Sequence, residues 1–413
     1  MANNGKALWK LLLGTGTVLC LAAYALKSMQ VGIGMLATLM LATGGLMVTF
    51  GSCEAMILSV EGLGTRLAWN PFVAGAIAGL AANIPEIVMI GFIVAKEPRV
   101  AFVITCLTLQ VNALIFGIYS GMLPKDASGC PPLPDVIVKL ESDLFACAAG
   151  VFLTLGLMMV SLKAFYAGQY WGEGLGAVDL TAIGLPLMVV QIVAVVVMIR
   201  RFSAAQPASA SVEALNAATL PSTMSIVGYG TVAVLFSFFG GNAIGEFADN
   251  LVDALVAKNY SEMIGAIVVS LFSTVPSLLM IASAHVKKKY DIALSNVSGG
   301  VSQMPFVVLP ATMLIMAALA WIGVIPHLPR GSVLPIDLET TCAVLFGFPT
   351  LLILWKSVAD DGRVDTLETT GMLVVFTLRG SKAGAVTNGL PPVGATEESA
   401  MGCTLHSGNQ ATQ

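Results

Sequence analysis

A chain of 413 residues in which 56% are hydrophobic and only 11% charged, with a mean hydropathy of +0.87, excludes a soluble globular domain and describes a polytopic membrane protein whose single bundle uses nearly the whole length. The net charge of −4 offers no basic excess for nucleic acid, because most charges fall in short loops where insertion topology selects them. Seven cysteines, Cys20, Cys53, Cys106, Cys130, Cys147, Cys342 and Cys403, are scattered without a CxxC pair or a nearby histidine and read as small packing residues.

Lys6 and Lys10 precede an apolar stretch from Leu11 to Ala25. Ala23-Tyr24-Ala25 resembles a signal-peptidase site, but the run passes almost at once into the next one after Lys27, so a retained first helix is expected. The apolar windows then follow at about 8–28, 31–60, 70–95, 99–123, 143–165, 177–200, 225–256, 262–286, 291–324 and 334–356, with a short one at 366–379. They predict about eleven helices. With the N-terminus in the cytoplasm, the inner loops carry Lys6, Lys10, Arg66, Lys125, Lys139, Arg200, Arg201, Lys287, Lys288, Lys289, Lys356 and Arg363, a majority of the 20 basic residues, as the positive-inside rule asks. Lys287-Lys288-Lys289 is then a topology anchor, with lipid headgroups as a second partner.

Between Phe202 and Ser222 lies a polar, small-residue linker, Ser-Ala-Ala-Gln-Pro-Ala-Ser-Ala-Ser, of the kind that joins two halves of a transporter. The chain therefore divides into an N-terminal tail and extra helix (1–30), a first half (31–201), the linker (202–222), a second half (223–380) and a disordered tail (381–413) without apolar period.

The stretch that carries chemistry is Ala82-Asn83-Ile84-Pro85-Glu86, a carboxylate placed directly after a proline inside an apolar run. A carboxylate at the centre of a membrane helix costs on the order of 3 kcal/mol, so it faces a partner, an ion or water. The proline removes an amide donor and frees the carbonyl four residues back, which predicts a helix break with polar backbone at membrane depth. An ion site is the reading that joins both features; a helix-terminus carboxylate satisfied by amides is the plainer one.

The halves match each other weakly. Leu80-Ala81-Ala82-Asn83-Ile84-Pro85-Glu86 lies against Leu271-Phe272-Ser273-Thr274-Val275-Pro276-Ser277, and an amide follows each proline by 27 residues, Asn112 in the first half and Gln303 in the second. Five helices per half turn the second repeat upside down relative to the first, so the two proline segments would meet at mid-membrane from opposite sides.

On these residues the chain resembles the cation/calcium exchanger superfamily, and its second half is most similar to the proton-coupled cation exchangers. The resemblance is carried by Asp291-Ile292-Ala293-Leu294, Gly299-Gly300-Val301-Ser302-Gln303 and Phe306-Val307-Val308-Leu309-Pro310, by Thr108 and Asn112 ahead of Leu114-Ile115-Phe116-Gly117, and by Asp361-Gly362-Arg363 with Leu367-Glu368. It spans about residues 31–380 and is specific as an ordered set. The resemblance implies an all-α membrane protein of two inverted five-helix repeats plus the extra N-terminal helix. It also implies a cation held between the proline helices, alternating access by sliding outer helices, and one site carboxylate in each repeat. Glu86 fills the first position; Ser277 stands where the second acid is expected. Ala82, Leu107 and Gly300 likewise replace small or hydroxyl residues.

The site expected from this pattern comprises Glu86, Asn83, Asn112, Thr274, Ser277, Ser302 and Gln303. Asn112 and Gln303 equally suit interhelical hydrogen bonding, and Ser277, Thr274, Asn83 and Ser302 equally suit capping of freed backbone carbonyls. A dehydrated Ca²⁺ takes 6 to 8 oxygens, usually with more than one carboxylate, so a single acid leans toward Na⁺, K⁺ or H⁺. Protons and a cation would compete for Glu86, which suffices for antiport. Glu54 and Glu61 on one helix, and Glu246, Asp249 and Asp253 on another, share helix faces. Glu54, Glu246 and Asp249 suit an access path or proton relay as well as they suit solvated helix ends, whereas Glu61 and Asp253 fit the solvated ends better.

The expected function is secondary-active antiport of a cation, Ca²⁺ or a monovalent ion such as Na⁺, against protons or sodium. The alternative is a degenerate exchanger-fold protein with a structural, sensory or partner-binding role. No nucleophile, histidine and acid set, HExxH or phosphate loop is present, so no enzyme and no cofactor is expected. The partners are the inorganic cations and the lipid bilayer. The expected location is an integral, multi-pass one: the plasma or inner membrane of a bacterium, or a vacuolar or other organelle membrane of a eukaryote.

Overall fold

A computed structural model describes residues 5–29, 34–67, 71–124, 133, 137–167, 169–202, 222–258, 260, 262–286, 288, 290–325 and 331–385. Residues 203–221 of the expected linker and 386–413 of the expected tail lie outside the described residues. With backbone donors and acceptors unable to find water in hydrocarbon, long apolar runs close their own hydrogen bonds as helices, and the described chain is helical almost throughout. In order these are α1 (Gly5–Ser28), α2 (Gly34–Arg66), α3 (Pro71–Lys96), α4 (Pro98–Met122) and α5 (Ser142–Phe165, entered through a π turn at Ile137–Glu141). There follow α6 (Ala177–Phe202), α7 (Thr223–Val256) and α8 (Glu262–Val286). The last three are α9 (Tyr290–Gln303, a π turn at Met304–Val308, then Leu309–Trp321), α10 (Leu338–Leu345 and Gly347–Asp361) and α11 (Thr366–Ala385). Nine spans among the described residues are long and apolar enough to cross a bilayer.

The ends are set by local chemistry. Asp337 accepts from the Thr340 amide at 2.8 Å while the Thr340 hydroxyl accepts from the Asp337 amide at 3.1 Å, a reciprocal cap that starts α10. Gly362, at φ 61° and ψ 31°, ends it in the left-handed region that only glycine enters cheaply. Outside the helices, Gly174–Leu175 pairs antiparallel with Leu334–Pro335, tying the α5–α6 connection to the α9–α10 connection. One expectation is corrected: α3 runs without interruption through Pro85, and α8 through position 276. A proline removes one amide from the ladder, and the turns on either side keep the helix together at the cost of that bond.

The packing has a two-fold pattern. α2 lies on α7, α4 on α9 and α5 on α10; α3 touches α7 and α9, while α8 touches α2 and α4; α6 packs on α9 and α11 on α4. Adding or subtracting five from each label carries these pairs onto one another. α1 lies outside the pattern, against α2 and α7. The α2–α7 crossing is close because it is built of glycines: a Cβ on Gly45 would sit 2.7 Å from Ile244, and one on Gly240 2.8 Å from the Thr49 hydroxyl. Small residues let membrane helices approach backbone to backbone. Gly240→Leu is therefore expected to cost at least about 1–3 kcal/mol by overpacking, read as a lower melting temperature. Gly228→Leu on the same helix, where a Cβ meets nothing within 4 Å, is expected to leave it unchanged.

Candidate functional site

A cavity of about 20 Å³ lies where α2, α3, α7 and α8 meet, room for one water-sized body. α3 contributes Pro85, Glu86 and Met89, and α8 contributes Phe272, Ser273 and Ser277; Thr49 and Cys53 of α2 and Ile244 of α7 close the sides. The Pro85–Glu86 pair and the matching Ser277 thus face one space. The Glu86 Oε1 atom is buried with no hydrogen-bond partner, and so is the Thr49 hydroxyl. Buried polar groups are nearly always paired, so two unpaired oxygens lining one cavity point to an occupant that supplies the missing interactions.

The Ser273 hydroxyl is arranged as an acceptor. Ser273 donates to the Ser270 carbonyl at 2.8 Å and lies 3.2 Å from the Thr108 hydroxyl, which itself donates to Ile104 at 2.9 Å. With both protons committed to backbone, the lone pairs of Ser273 remain for the cavity. The oxygen set is one carboxylate and three hydroxyls, with Met89, Ile244 and Phe272 completing an apolar wall. Phe272 is in turn held against Phe247 at a centroid distance of 5.1 Å. Among the described residues no three His, Cys, Asp or Glu side chains form a metal cluster.

The other expected residues stand elsewhere. Asn83 donates to Gln303 Oε1 at 2.8 Å, and Gln303 donates to the Ala76 carbonyl at 3.4 Å, so this amide pair binds α9 to α3. Asn112 donates to the Gly300 carbonyl at 3.1 Å, binding α4 to α9. Thr274 is buried and donates to the Leu271 carbonyl at 2.8 Å, and Ser302 reaches the Gly299 carbonyl at 3.5 Å. None of these lines the cavity. Glu246 pairs with Lys27 at 2.6 Å and Asp249 pairs with Lys96, which fastens α7 to α1 and α3. Glu54 is half-buried next to Cys53, while Glu61 and Asp253 are exposed.

Three polar residues had no local signal in the sequence. Thr49 and Ser273 line the cavity, and both Gln110 amide atoms are buried without a partner. A hydroxyl in an apolar helix carries no motif, and only the packing of α2 on α3 brings Thr49 to Glu86.

Residues 227–378 match the family described as sodium/calcium exchanger protein. The crystal structure of the H⁺/Ca²⁺ exchanger CAX superposes with a TM-score of 0.64 at 12% identity, covering 92% of this chain and 91% of that one. The structure of native YfkE superposes with a TM-score of 0.55 at 14% identity, covering 92% and 100%. No curated protein matches the sequence. At these identities the superpositions show a shared fold.

Proposed function

We propose that this chain, a divergent member of the cation/calcium exchanger superfamily, is a secondary-active cation antiporter whose ion sits at Glu86. The observation that carries the reading is the unpaired Glu86 oxygen facing Ser277 across an ion-sized cavity between α3 and α8. Thr49, Ser273 and Ser277 supply hydroxyl oxygens beside it. Asn83, Asn112 and Gln303 hold α3, α4 and α9 in register, while Thr274 and Ser302 bond to carbonyls of their own helices.

The two halves, 31–201 and 223–380, act as inverted five-helix repeats in this reading, supported by the two-fold pattern of helix contacts and by the odd number of helices in each. α2 and α7, of 33 and 34 residues, meet through glycines, which suits sliding of one long helix pair past the site. A cation and a proton compete for one carboxylate, so binding of either releases the other. One negative charge balances a monovalent ion and leaves a divalent one short of ligands.

A second reading, an exchanger fold kept for a structural or sensory role, draws on the serine where the resemblance expects an acid and on the apolar share of the wall. Flux into proteoliposomes, run with Ca²⁺, Mn²⁺, Na⁺ and K⁺ under a pH gradient and under a sodium gradient, decides between them. Exchange of any of these ions upholds antiport; absence of flux under both gradients hands the protein to the second reading.

A further inference from the structure

The cavity beside Glu86 holds a second group able to carry a negative charge. Of the side chains that line it, only the Glu86 carboxyl and the Cys53 thiol can do so, and Cys53 is 2% exposed. α2 supplies the thiol and α3 the carboxyl, and these helices pack on each other. At the offset that pairs Pro85 with Pro276, Cys53 pairs with Ile244 and Glu86 with Ser277, so the second half lines the same space without an acid. A buried cysteine is ordinarily a small packing residue; the company of Cys53 sets it apart. One turn earlier on the same face of α2, Thr49 lines the cavity, is 6% exposed and has an unpartnered hydroxyl. Met89 adds a thioether to the wall. Among the described residues no other cysteine reaches it.

Sulfur changes which ions this ligand set favours. Hard cations such as Ca²⁺ take oxygen ligands, so the thiol adds nothing for them and they stay short of charge. Thiolate and thioether sulfur select soft and borderline ions, and Zn²⁺ accepts cysteine sulfur and carboxylate oxygen in one four-coordinate shell. Glu86, Cys53 and the hydroxyls of Thr49, Ser273 and Ser277 can meet that number around a single ion stripped of its water. The thiol becomes a ligand by giving its proton to solution as the metal–sulfur bond forms, whichever group the S–H contacts beforehand. The bound dication then faces two negative charges.

We propose that this cavity selects thiophilic divalent cations, of the class of Zn²⁺ and Cd²⁺, over Ca²⁺, and that Cys53 is the ligand that discriminates. Given the antiport reading, on which the cargo role rests, such an ion is the one exchanged; its binding depends on the cavity alone.

Cd²⁺ is the probe, because it matches Ca²⁺ in charge and nearly in size and differs in its affinity for sulfur. Titrated into the full chain in lipid nanodiscs, the tightest-bound Cd²⁺ is expected to show the ultraviolet charge-transfer absorbance of a metal–thiolate bond and to outcompete Ca²⁺. Groups that merely support a metal ligand are worth about 10- to 100-fold in affinity. Cys53→Ser, which removes a ligand itself, is therefore expected to abolish that absorbance and weaken Cd²⁺ by at least about tenfold, with Ca²⁺ unchanged. Glu86→Gln is expected to lose the same tight binding, and Cys147→Ser, at an exposed thiol, to keep it. Should Cys53→Ser fail to fold, cadmium NMR of the wild-type chain reads the ligand set directly: a mixed sulfur–oxygen resonance that Glu86→Gln removes is expected, and an oxygen-only resonance overturns the assignment. Equal affinity for Cd²⁺ and Ca²⁺, or absorbance that survives Cys53→Ser, overturns it too. Exchange of Na⁺ or Ca²⁺ in proteoliposomes without thiolate-bound Cd²⁺ would refute the selectivity and keep antiport. Cd²⁺ held by Cys53 with no flux of any ion, Cd²⁺ included, would refute antiport and keep the site.

Discussion

Glu86→Gln is expected to abolish cation exchange while leaving insertion and folding intact. Two unit charges 4 Å apart at an effective dielectric of about 20 attract by about 4 kcal/mol, so replacing the carboxylate by its neutral isostere removes up to roughly three decades of cation affinity. It also removes the group on which protons and the cation compete. Stability is expected to move the other way or not at all, because Oε1 is buried without a partner and an unpaired charged oxygen is a cost to the fold. Flux assays with a thermal melt on the same preparation check both halves. Retained pH-driven flux would place the ion elsewhere, while lost flux with a collapsed melting temperature would make Glu86 a structural residue.

Ser277→Glu is expected to turn selectivity toward divalent ions. Position 277 lines the same cavity as Glu86, so a carboxylate there faces the same ion. Coulomb attraction scales with the charge of the ion, so the added acid favours Ca²⁺ or Mn²⁺ over Na⁺ by up to about 4 kcal/mol at the geometry used above. The larger side chain must fit beside Phe272, which sets a lower gain than the electrostatics alone. Competition binding on both proteins measures the shift. Native protein that already prefers Ca²⁺ strongly would mean that Glu54, Glu246 or Asp249 lends the missing charge, although Lys27 and Lys96 already engage the last two.

The helices were legible because apolar length is a strong signal in a chain with so few charges; every apolar window in the sequence corresponds to a helix of the described structure. Less legible was the course of the backbone at Pro85. Local chemistry argues for a break, but one missing hydrogen bond is small against the packing of α3 on α7 and α9. The Pro85–Glu86 pair and Ser277 could be found from the repeat alone, since a carboxylate in hydrocarbon is conspicuous and its counterpart lies at the same register. Ser273 and Thr274 show the limit: neighbours on a helix point about 100° apart, and which of them faces the cavity is decided by how α8 packs on its neighbours.

The ion pairs give the molecule a polarity in its response to salt. Lys27–Glu246, Lys96–Asp249 and the bonds from Arg99 to Asp337 and Glu339 join helix ends that alternation of the chain brings to one membrane face. On the opposite face, Lys356–Asp360 links two residues of a single helix and restrains no helix against another. All are partly exposed, so each contributes little alone and is weakened as added salt shortens the screening length below about 8 Å. In vesicles holding the protein in one orientation, raising the ionic strength of one bath would loosen three interhelical ties at once, and raising that of the other would loosen none of them. Exchange rates would then depend on which side the salt is added to, an asymmetry that the near two-fold packing of the helices would by itself forbid.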